Sequence, residues 1–150
     1  MTKIEATADV MRRAARGDCR CQMVIALEIL HLAEQADPFT ALFLEMQALC
    51  YARLAAAHGN ARALHLAAML AAKIANHENG SDIGISVKEM RADALAMLDV
   101  AADIAVEEAQ GAIERHLHDL SANTDAETAK LAQPHREFWG LIVETESING

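Results

Sequence analysis

Two residues, Gly59-Asn60, constrain this chain more than any others, because they join two alanine-rich helical runs in the stretch Tyr51 to Leu70, YARLAAAHGNARALHLAAML. Glycine takes the left-handed conformation that closes a helix without steric cost. The asparagine that follows is a strong helix N-cap, its side-chain oxygen accepting an orphan backbone N–H. A joint this short turns consecutive helices back on each other. The stretch therefore predicts a stack of short antiparallel helix pairs.

The rest of the chain agrees with that class. Hydrophobic residues make up 53% of the 150 residues but aromatics only 3%, so the apolar content is mostly alanine and leucine. Such a composition favours helix and close helix packing. Strand formers are sparse and do not alternate, so an all-α fold is expected, as one domain over residues 1–150. The net charge of −9 opposes binding to nucleic acid or to an anionic membrane, both of which want a basic face. The longest uncharged apolar run, about Ala63 to Ala72, is too short to span a bilayer. Three cysteines, Cys19, Cys21 and Cys50, cannot all pair internally. Together with an N-terminal stretch lacking a signal-peptide core, they lead to an expectation of a reducing, cytoplasmic setting.

Taken in order, residues 2–16 form a first helix with Ile4, Ala8, Met11 and Ala15 on one face. Gly17 ends it and Asp18 caps the next, which runs to about Ala36 with Met23, Leu27 and Leu30 along its stripe. Asp37-Pro38 restarts the chain with a cap followed by proline at the first helical position. The third helix reaches His58, through Leu42, Leu49 and Leu54, and the fourth spans Ala61 to about His77. A loop from Glu78 to Ile85 follows. Ser86 and Glu89 form a capping box that opens a long helix over about 87–120, with Gly111 as the place for a bend. A second box at Thr124 to Glu127 starts a C-terminal helix over about 125–146, which Pro134 breaks or kinks. About six helices result.

The joints Gly17-Asp18 and Gly59-Asn60 lie 42 residues apart, and at that shift Ala14 meets Ala56, Cys21 meets Ala63, Ala26 meets Ala68 and Ala33 meets Ala75. The period suits a helical repeat. Tyr51, Leu54, Ala55, Ala56, Gly59, Asn60, Ala61 and Ala63 make this stretch resemble the Sel1-like repeat, a relative of the tetratricopeptide repeat. The resemblance covers residues 10–105, strongest over 51–70. Ala68 stands where that family has glycine, and no joint interrupts 87–120, so the long helix leaves the pattern. What the resemblance implies is a non-enzymatic scaffold that binds a protein partner, itself included.

No catalytic constellation stands out. Glu28 and His31 form an E-x-x-H on one helix face, the half-site of a dimetal bundle, but no second E-x-x-H exists to complete it. They serve only the alternative reading, a bundle holding a metal or small ligand; the main reading expects neither metal nor cofactor. Cys19 and Cys21 point to different sides of a helix, poor geometry for zinc, and Cys50 reads as core. His58, His65, His116 and His118 read as ordinary surface or boundary histidines. Asp99, Asp103, Glu107 and Glu114 make an acidic stripe on the long helix, a solvated face or a docking face for a basic partner. Phe138 and Trp139 open an apolar segment, FWGLIV, whose side chains cannot all point one way on a helix. It anchors either to its own helical body or to a second chain, a homodimer.

Overall fold

A computed structural model describes residues 2–77, 80 and 84–149, and among these the chain forms seven helices and no strand. They are α1 (Lys3–Ala15), α2 (Cys19–Glu34), α3 (Pro38–Ala56), α4 (Ala61–Ala75), α5 (Val87–Ile104), α6 (Glu107–Ala122) and α7 (Ala126–Asn149). No described helix is long and apolar enough to cross a membrane. Of the expected loop, Glu78, Asn79, Ser81, Asp82 and Ile83 lie outside the described residues.

Local chemistry sets the first four boundaries. Thr2 and Glu5 form a reciprocal capping box at the start of α1. Gly17 sits at φ +92°, and the N–H groups of Gly17 and Asp18 close back on the carbonyls of Ala14 and Arg13, both at 3.0 Å. That is the six-to-one and five-to-two pairing of a Schellman ending. Asp18 then accepts from the Cys21 N–H at 3.0 Å. Asp37 accepts from Thr40 N–H, with Pro38 in the first turn of α3. Gly59, at φ +73°, and Asn60, accepting from Arg62 and Ala63 N–H, repeat the device before α4.

The later boundaries correct the sequence reading. The expected long helix over 87–120 is two helices, parted at Ala105 and Val106, both extended (ψ 142° and 157°), while Gly111 lies inside α6 without a break. No side-chain cap marks the site; the sequence signal is Glu107-Glu108, which suits the first turn of a helix. Pro134 does not end α7, which continues through it. Proline removes one backbone donor, and here the carbonyl left over belongs to exposed Lys130, where water can serve it. The cap of α7 is Asp125, accepting from Thr128 N–H at 2.7 Å, and not Thr124, whose hydroxyl donates to the Leu120 carbonyl. At α5 only half of the expected box forms: Ser86 accepts from Glu89 N–H, and the Glu89 carboxylate turns to His135.

The core is built on alanine. Ala26, Ala48, Ala52, Ala55, Ala56, Ala63, Ala67, Ala68 and Ala71 are fully or almost fully buried, with Leu42, Leu64, Leu70, Ile74, Met97 and Ile113 filling the layers between helices. Small side chains let helix axes approach closely and leave room between them for only part of the chain's large side chains. This is why Leu27, Leu54, Met11 and Ile4, expected on inner stripes, are substantially exposed. Ala14, Cys21, Ala26 and Ala33 are buried, as are their counterparts Ala56, Ala63, Ala68 and Ala75. Cys50, expected in the core, is exposed.

Candidate functional site

The helices leave two clefts, one closed and one open. The closed cleft is occupied by α7. Its Trp139 is 2% exposed and donates its indole N–H to the Asp93 Oδ1 of α5 at 2.8 Å. Asp93 is itself 2% exposed, and it also takes the Arg53 guanidinium of α3 and faces His135 Nδ1 at 3.1 Å. The other nitrogen of His135 faces Glu89 Oε2 at 3.0 Å, and Arg53 lies over the Trp139 ring, 5.5 Å from its centroid. A buried carboxylate is costly unless fully partnered; here three side chains from two other helices converge to partner it. The arrangement clamps α3, α5 and α7 together. Farther along α7, Val143 and Glu146 pass directly over Gly59, where an added Cβ would lie 3.2 Å from Glu146 Cβ and 3.4 Å from Val143 Cα.

The open cleft lies between α1 and α3 over α2. It comprises two adjoining hollows, of about 590 and 700 Å³, which share Met11, Gln47 and Tyr51. One continues over Val24, Ile29 and Leu32, the other to Gly17, Gln22 and Leu54. Its lining is chiefly apolar, yet Gln22 is buried with its Oε1 unpartnered, while its amide nitrogen donates to the Ala14 carbonyl at 3.0 Å. The α1 wall is thinly held: of its residues only Ala14 is buried. A further hollow, of about 790 Å³, lies where α7 passes the Gly59 joint. Among the described residues, no buried polar side chain without a partner lines it.

The residues singled out from sequence divide between these regions. Gly17 borders the open cleft, and Asp18 beside it caps α2 and pairs with Arg13; Gly59 lies under α7, with Asn60 capping α4. Pro38 sits at the start of α3. Phe138 and Trp139 part company: Trp139 is seated against the body, whereas Phe138 is 51% exposed on the outer face of α7. The acidic stripe does not stand as one free face. Asp99 and Asp103 pair with Arg136 of α7, and Glu107 belongs to the next helix, beyond the break. Glu28 lines the open cleft, whereas His31 is exposed beside Glu34 and Gln35. Among the described residues, no three histidine, cysteine or carboxylate side chains gather in a way that could hold a metal ion. Burial raises the Cys19 and Cys21 thiols, and Cys19 Sγ lies 3.4 Å from the Ala55 carbonyl, so both are packing groups.

Two contacts went unread in the sequence. His65 of α4 and His116 of α6 share a hydrogen bond of 2.8 Å, and burial, then the neighbouring His116, holds His65 below the ordinary histidine range. The Asp93 clamp joins residues more than 40 positions apart. Its one sequence signal is a carboxylate sharing the helical face of Met97 and Val100, flanked by alanines, in a chain whose single tryptophan needs an N–H acceptor when buried. No family model, curated protein or solved structure matches this chain.

Proposed function

We propose that this is a non-enzymatic helical protein, of the Sel1-like or tetratricopeptide-like kind, that binds a protein partner through the cleft between α1 and α3, acting in the cytoplasm. The observation that carries the reading is the open, chiefly apolar cleft with large side chains left on its rim: Met11, Val24, Leu32 and Leu54 are all substantially exposed. Exposed apolar surface gathered in a concave groove is the usual mark of a recognition site.

The test is affinity capture with the full chain, followed by mass spectrometry. Val24→Asp and Leu32→Asp place a carboxylate in the cleft at partly exposed positions, so the fold should survive. A partner held by the parent chain and lost from both variants, each with native helicity by circular dichroism, supports the reading. Capture unchanged by either variant contradicts it.

A further inference from the structure

The closed cleft shows what kind of object the open one accommodates. Four residues that touch α7 are Arg53, Gly59, Glu89 and Asp93. Forty-two residues earlier, the spacing of the two joints, stand Met11, Gly17, Gln47 and Tyr51. All four line the open cleft. At these four positions the two clefts correspond, one holding a helix and one open, whereas Asp99 and Asp103, which pair with Arg136 of α7, have their counterparts Ala57 and Ala61 outside the open cleft. The chemistry of the seat has changed: a guanidinium and two carboxylates are replaced by a thioether, an amide and a phenol. A helix that fits the open seat therefore presents an apolar face, without the histidine and tryptophan donors that α7 brings to Asp93.

This chain carries such a face. On the outer side of α7, Phe138, Leu141 and Ile148 are exposed (51, 62 and 78%) at spacings of three and seven, one stripe of a helix turned away from the body. The stripe is about 15 Å long, and the α1 wall of the cleft about 20 Å, at the α-helical rise. Charge does not oppose their meeting. Of the side chains that line the cleft, Lys3 and Glu28 are charged and opposite in sign, so the groove carries no net charge that would repel an acid-flanked helix. The α7 stripe is flanked by exposed Glu137 and Glu144. We propose that the open cleft receives the outward face of α7 from a second copy of this chain. The proposal rests on the docking-cleft reading and names its occupant.

Because cleft and stripe are different surfaces, the contact is made twice in an isologous two-fold dimer or repeated head to tail from molecule to molecule. Sedimentation equilibrium on the full chain tests it, with Leu141→Asp on the stripe and Val24→Asp in the cleft. The parent chain should associate, and each variant alone should fall to the 16.2 kDa monomer. Mixed in equal amounts, the two variants should recover a heterodimer, since one keeps the stripe and the other the cleft. Leu32→Asp serves in place of Val24→Asp if the latter loses helicity. A parent chain that stays monomeric at its highest soluble concentration overturns the second-copy occupant. So does an assembly broken by Leu141→Asp but untouched by cleft variants, which would mean symmetric α7 pairing. Either result leaves the docking cleft to be judged on partner capture, where Leu141→Asp should behave as the parent and the cleft variants should not.

Discussion

The joints at Gly17-Asp18 and Gly59-Asn60 are built alike and used differently. Both glycines are at positive φ, and both are followed by a side-chain cap. A Cβ added at Gly17 meets nothing within 4 Å, whereas one added at Gly59 runs into α7. The same local device thus borders an open cleft in the N-terminal half and lies under a packed helix in the C-terminal half. The burial pattern follows: α1 buries one residue, while α5, against α4 and α7, buries eight. Turn chemistry makes a joint, but whether the joint becomes part of a core depends on α7, whose Val143 and Glu146 come from more than 80 residues farther along the chain.

The largest expected contrast lies within α7 itself. Trp139→Ala, which empties the filled cleft, should cost roughly 3–5 kcal/mol of stability in urea unfolding. Phe138→Ala, one residue away on the outer face, loses chiefly its edge-to-face contact with Trp139 and should cost about 0.5–1.5 kcal/mol in the monomeric chain. Comparable losses at both positions would mean that α7 is not seated on one face.

A smaller effect isolates the clamp from the ring. Trp139→Phe keeps an aromatic ring but removes the N–H that serves Asp93, and should cost about 1–3 kcal/mol, since the carboxylate stays buried with one donor fewer. Tyr51→Phe, which removes a hydroxyl from the open cleft, should be close to neutral in the isolated chain. A neutral Trp139→Phe would remove the hydrogen bond from the account of why α7 docks.

Smaller again is the pH response of the α4–α6 contact. His65 titrates below its ordinary value of 6.5 in the folded chain, through burial first and His116 second. As pH falls through 6.5 the unfolded chain therefore takes up that proton before the folded chain does, and stability falls until the folded value is passed. Because His65 is only partly buried, solvent screening keeps this below about 1 kcal/mol. The urea midpoint should drop between pH 7.5 and pH 5.5, and drop less in His65→Gln. Parallel curves for the two proteins would show that the pair does not couple to folding.

What the sequence discloses follows from how local each device is. The joints at Gly17, Pro38 and Gly59 are legible because a positive φ, a cap and a fixed proline φ are all settled within a few residues. The break at Ala105-Val106 is not, because Val106 supplies no side-chain cap and the chain turns there on backbone alone. Pro134 misleads because its cost depends on whether the orphaned carbonyl reaches water, and Lys130 is exposed. Cys50 reads as core by residue type and yet lies exposed at the rim of the open cleft, which only the placement of α1 creates. The Asp93 clamp is invisible for the same reason: Arg53, Asp93, His135 and Trp139 are brought together by the return of α7.

Alanine at each joint glycine tests the contrast most directly. Gly17→Ala and Gly59→Ala add the same carbon to the same left-handed backbone, each at a strain of about 1–2 kcal/mol. Only at Gly59 does that carbon meet another element, α7, held in place by Trp139 and Asp93. Urea unfolding should show Gly59→Ala losing more than Gly17→Ala by about 1 kcal/mol, the added cost of overpacking against a seated helix. Equal losses, or the larger loss at Gly17, would contradict the view that one joint bears a packed helix and the other borders an open cleft.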